Sequence, residues 1–122
     1  MNQREAQQEW ARWKYYVMAR SQAEYLSLRQ LFSGNQWDEE KEKSFVASLQ
    51  RIQKLPANPK AMRNAYEHVW GYYKKQATSD ERATFYQKLT AISETKDEAL
   101  AYLRYLNEKY PNQYLTDSKL FT

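Results

Sequence analysis

A small set of residues breaks the hydrophobic pattern of this chain in ways that could serve chemistry: Lys14, Arg20, Ser21 and Gln22, then Asn64, His68, Gly71, Lys74 and Lys75. Wound at about 100° per residue, the first segment puts Trp10, Trp13, Val17, Tyr25, Leu28, Leu31 and Phe32 on one broad face. Lys14, Ser21 and Glu24 share that face, and Arg20 borders it. Polar and charged groups on a buried face must pair, reach the rim or line a cleft, because desolvating them alone is costly. An ion pair with Arg20, four residues earlier, accounts for Glu24 at a few tenths of a kcal/mol. Lys14 and Ser21, two turns apart inside an aromatic stripe, read instead as the lining of a site. In the second segment Asn64, His68, Gly71 and Lys75 form a polar strip beside an apolar face of Met62, Ala65, Tyr66, Val69, Tyr72 and Tyr73. Glycine in a helix interior costs about 1 kcal/mol against alanine. Gly71 therefore marks a close approach, by a crossing helix as the commoner reason or by a ligand as the alternative.

Charge falls on the same two segments. Residues 1–32 carry five basic and three acidic groups and residues 57–77 carry four and one, in a chain whose 19 Lys and Arg against 15 Asp and Glu leave +4. A basic surface concentrated on two elements suits phosphate. An excess of this size is below that of a dedicated nucleic-acid binder, so charge alone favours plain solvation of two helix backs.

Catalysis has no comparable support. The chain has no cysteine, which excludes a disulfide scaffold, a cysteine-ligated zinc, an iron–sulfur cluster and thiol catalysis within it. It contains no glycine-rich phosphate loop and no nucleophile elbow. His68 is the single histidine; it has no metal partners in sequence, and a lone histidine is most often a structural hydrogen-bonding residue. The acidic runs Asp38-Glu39-Glu40, Asp80-Glu81 and Asp97-Glu98 fall at helix starts, where capping explains them. A hydrolase or lyase built on Glu24 or His68 ranks last, since no base–nucleophile spacing supports it. No catalytic residue, metal or cofactor is expected. Apolar runs are too short for a membrane span or a signal core, so the expected compartment is the cytoplasm.

Positioning these residues falls to helices. With two Gly and three Pro a turn-rich β protein is disfavoured, and no segment alternates strictly. The periodicity predicts an all-α, single-domain bundle of about five helices over residues 1–122 with a packed C-terminal tail. The first helix runs from Gln3 to Phe32 and stops at Ser33-Gly34-Asn35. The second rises from Trp37 through Asp38 and ends before Leu55-Pro56, with Phe45, Leu49 and Ile52 inward. Asn58 caps the third, with Pro59 at its first position, and it extends to about Gln76. Thr78-Ser79-Asp80-Glu81 has capping-box spacing and opens a fourth helix carrying Phe85, Leu89 and Ile92. A fifth starts between Thr95 and Asp97, buries Ala99, Leu103, Leu106 and Tyr110, and ends at Pro111. Tyr114, Leu115, Leu120 and Phe121 are expected to bring the tail back onto the bundle.

Certain of these residues carry a resemblance. Trp13-Lys14 and Ala19-Arg20-Ser21-Gln22 with Tyr25 and Leu28 resemble the first helix of the YbgA-like domain family, a domain of unknown function. Asn58-Pro59, Asn64, His68, Gly71 and Tyr72-Tyr73-Lys74 resemble its second signature, and Tyr102-Leu103, Tyr110-Pro111 and Tyr114-Leu115 its closing segment. The resemblance covers about residues 9–121. It departs at Arg20, where the family commonly has histidine, which weakens any role built on that histidine. The family occurs alone or fused behind a desulfidase domain that holds an iron–sulfur cluster through cysteines. There the helical part is associated with delivering thiolated tRNA. The resemblance thus implies a tRNA-binding accessory domain beside a separate desulfidase-type enzyme. Such a role suits the residues: Lys14, Arg20, Lys74 and Lys75 for phosphates, and Ser21, Gln22, Asn64 and His68 for base edges or ribose hydroxyls. Tyr15, Tyr72 or Tyr73 could stack on splayed bases. The alternative is a protein-interaction or scaffold domain without nucleic-acid binding, since Tyr and Arg enrichment also marks interface hot spots. The RNA, the partner enzyme and the oligomeric state are left open by the sequence.

Overall fold

Local signals set most element boundaries. In the computed structural model, which describes every residue except Asn35, the described residues form seven helices and no strand. They are α1 (Gln3–Met18), α2 (Gln22–Leu31), α3 (Glu39–Ile52), α4 (Pro59–Trp70), α5 (Ser79–Thr90), α6 (Ala99–Lys109) and α7 (Gln113–Thr116). The Asp38 side chain accepts from the Lys41 amide and caps α3. Asn58 caps α4 with Pro59 behind it, and Thr78 with Glu81 forms a reciprocal capping box on α5. Gly34 has φ 83, the left-handed geometry expected after a helix; the Asn35 half of that expected stop lies outside the described residues.

Two expectations need correction. The single helix from Gln3 to Phe32 is two helices, broken at Ala19–Ser21. Ser21 is extended (φ −162, ψ 118) and its Oγ accepts from the Glu24 amide, so the hydroxyl is the N-cap of α2. The third helix stops at Trp70, not Gln76, and residues 71–76 continue as turns. With the tail forming the short α7, five expected helices become seven. None is long and apolar enough to cross a membrane among the described residues.

α1 is shared by two apolar clusters. On one side Val17 meets Leu28, Phe45 and Ile52, with Trp10, Trp13, Leu31 and Phe32 partly buried around them. The Trp10 and Phe32 rings stack at 5.7 Å, and Phe45 meets Phe32 edge-on at 5.0 Å. On the other side Tyr15, Met18 and Ala19 join α4, α5, α6 and the C-terminal segment. Trp70 stacks on Phe85 there at 4.9 Å. Leu115 and Leu120 are buried, and the Lys119 amide donates to Arg12 O at 2.8 Å, so the tail does return to α1.

Candidate functional site

The two helices that carry the misplaced polar groups lie side by side. α1 and α4 pack together and pass one another in opposite senses. At one end the Tyr15 and Tyr72 hydroxyls share a hydrogen bond of 2.9 Å. At the other, Asn64 Nδ2 donates to Oε1 of Gln22, the first residue of α2, at 3.2 Å. These ends are about 12 Å apart by helical rise. Lys14 Nζ lies 5.5 Å from the centre of the Tyr15 ring. Tyr72 and Tyr114, both partly exposed, meet edge-on at 6.1 Å. His68 is exposed one turn beyond Asn64, and Lys74 and Lys75 are exposed in the turns after α4. We call the strip of surface between these two contacts the seam: His68 falls between Asn64 and Tyr72 at four-residue spacing, and Lys14 lies at the Tyr15 end.

Three sequence-derived residues do other work. Ser21 Oγ caps α2, a local role that accounts for its place in the aromatic stripe without a shared site with Lys14. Glu24 does not pair with Arg20: Arg51 on α3 takes it in a two-pronged bridge, Nε to Oε1 at 3.0 Å and Nη2 to Oε2 at 2.8 Å. The break before Ser21 removes the continuous helical spacing that an Arg20–Glu24 pair would use. Gly71 is an exposed C-cap with φ −53 and ψ −25. A Cβ there would meet only carbonyls of its own turn, His68 O at 3.1 Å and Glu67 O at 3.9 Å. No crossing helix lies at that point.

Arg20 points away from the seam into a cleft of about 390 Å³ that Arg104 and Lys119 also line. Its guanidinium lies 3.5 Å from the centre of the Tyr16 ring, a cation–π contact. At the cleft wall the Tyr66 hydroxyl donates to Asp97 Oδ2 at 2.6 Å. Asp97 Oδ1 accepts from the amides of Ala99 and Leu100 at 2.9 and 3.1 Å. Burial, and then the bond to Asp97, raise the Tyr66 pKa, while the nearby charges of Arg20 and Arg104 act in the opposite direction. Tyr66 is therefore a neutral donor at ordinary pH. Among the described residues no group of three His, Cys, Asp or Glu could hold a metal.

Arg104, Lys119 and Asp97 are the residues that sequence reasoning missed. Each sits in a segment of unremarkable charge, and only the fold gathers them beside Arg20. Asp97 was legible as a helix start but not as the acceptor for Tyr66, thirty-one residues away.

Nothing among the curated proteins or the solved structures matches the chain. The family model described as "Protein of unknown function (DUF1722)" matches residues 14–122, a span that opens on Lys14 and takes in the whole seam and the cleft. The helical chain built around these two features therefore belongs to that family.

Proposed function

We propose that this chain is a helical RNA-binding accessory module that acts in the cytoplasm, takes tRNA along the α1–α4 seam, and serves a separate enzyme. The observation that supports this reading is the packing of α1 against α4, with Gln22 at the start of α2 bonded to Asn64 and Lys14 beside the Tyr15–Tyr72 contact. Lysines there would meet phosphates, the amide side chains would meet base edges or ribose hydroxyls, and Tyr72 and Tyr114 would offer ring faces or edges to unstacked bases. The choice of tRNA, and of a desulfidase-type partner, rests on the resemblance to YbgA-like domains. A chain without cysteine could not ligate such a partner's iron–sulfur cluster through thiolates, so the chemistry would belong to the other protein.

An anisotropy titration with total tRNA tests it. Micromolar or tighter binding is expected, and Lys14→Glu with Lys75→Glu should weaken it at least about tenfold while the circular-dichroism melt stays unchanged. Absent binding, or equal binding by the double variant, would overturn the reading. A nuclease-insensitive protein partner recovered in its place would favour a scaffold role.

A further inference from the structure

The cleft holding Arg20 is separate from the seam and carries its own conclusion. Arg20, Arg104 and Lys119 line it, and none of the three forms an ion pair among the described residues. Aromatic faces hold two of them in place. The Arg20 guanidinium sits on Tyr16, and Lys119 Nζ lies 5.5 Å from the centre of the Trp13 ring. Trp13 and Tyr16 themselves meet edge-on at 5.0 Å. Like charges gathered in this way repel, and an anion between them would relieve the repulsion. Asp97 is the acidic side chain in the lining, but both its oxygens are engaged, by Tyr66 and by the first amides of α6. It is built into the wall, and its single negative charge leaves the lining side chains with an excess of two positive charges. The rest of the lining includes Leu55, Pro56, Met62 and Leu100, a surface suited to a flat apolar body. At about 390 Å³, the volume falls in the range of small-molecule pockets, roughly 300–1,000 Å³.

We propose that this cleft binds the phosphate of a nucleotide, with Arg20, Arg104 and Lys119 on the phosphate oxygens and the base or sugar against the apolar wall. Planar guanidinium forks match phosphate oxygens pairwise, and the lysine adds a point charge. The nucleotide can be free or the phosphorylated end of an RNA strand. The proposal does not rest on the seam, because none of the seam residues lines the cleft.

Calorimetric titration of the full chain with adenosine monophosphate, adenosine and inorganic phosphate, each to about 1 mM, tests it. The monophosphate is expected to bind, inorganic phosphate to compete with it, and adenosine to give no signal. Arg104 is exposed, so Arg104→Ala should keep the wild-type melt yet lose about tenfold or more in affinity for the monophosphate. Lys14→Glu with Lys75→Glu should leave that affinity unchanged, which separates failure of the cleft from failure of the seam. A short RNA carrying a terminal phosphate, compared with its hydroxyl-ended twin, identifies the source. Tighter binding of the phosphorylated strand, abolished by Arg104→Ala, assigns the RNA end; equal binding assigns the free nucleotide. Adenosine binding as tightly as its monophosphate, no binding by the monophosphate, or an Arg104→Ala variant with wild-type affinity would each overturn the proposal.

Discussion

Glu81 holds three donors at once. Its Oε1 accepts from the Thr78 amide at 2.9 Å and the Tyr110 hydroxyl at 2.7 Å, and its Oε2 accepts from Lys109 Nζ at 2.8 Å. The Lys109 contact, then the Thr78 amide and the Tyr110 hydroxyl, lower its pKa from 4.5 to about 2. A carboxylate depressed in the folded state stabilises fully above its ordinary pKa and loses that contribution as pH falls toward the folded value. Urea unfolding should therefore show stability declining as the pH falls from about 4.5 toward 2, and Glu81→Gln should lower stability at neutral pH and flatten that decline. An unchanged acid limb in the variant would contradict the assignment. Phe85 is 0% exposed and stacks on Trp70, so Phe85→Ala should cost about 3–5 kcal/mol in the same assay. The Thr78–Glu81 spacing and the inward Phe85 were legible, because capping and periodicity act within a few residues. Lys109 and Tyr110 as partners of Glu81 were not, because that contact spans twenty-eight and twenty-nine residues.

Between α1 and α2, aromatic periodicity hid a boundary. Trp13 and Val17 before the break and Tyr25 and Leu28 after it keep nearly one helical phase, so a continuous helix accounts for all four. Yet Ser21-Gln22-Ala23-Glu24 also has the spacing of a helix start, and the structure uses it: Ser21 caps α2 while Glu24 turns outward to Arg51. Ser21→Ala should cost about 1 kcal/mol of stability, with Ser21→Asp restoring most of it, and neither should change tRNA affinity. Loss of affinity without loss of stability would instead make Ser21 a contact residue. At the end of α4, Gly71→Ala sets a smaller unfolded-state entropy against crowding of His68 O at 3.1 Å. The expected change is within about 1 kcal/mol in either direction, read by thermal melting. A larger loss would mean that the backbone there needs glycine.

Across the whole molecule, charge is distributed by contact and not by segment. The basic excess of residues 1–32 and 57–77 is visible in the sequence, but the lining of one cleft by Arg20, Arg104 and Lys119 is not, since they come from distant parts of the chain. The all-helical class and the inward stripes of α3, α5 and α6 were legible because each is set by local periodicity. The juxtaposition of α1 and α4 was not legible, because packing decides it; the pairs Tyr15–Tyr72 and Gln22–Asn64, each with one member just beyond the ends of these helices, flank it. The seam so formed is the surface on which the RNA-binding account stands. Its most direct test is tRNA affinity measured across salt. If Lys14, Lys74 and Lys75 contact phosphates, log affinity against log salt should have a slope of about −3, a loss on the order of 50-fold between about 50 and 200 mM. Reversing Lys14 and Lys75 should make that slope shallower by about 2. Affinity that ignores salt, or a slope the double reversal leaves untouched, would contradict the account.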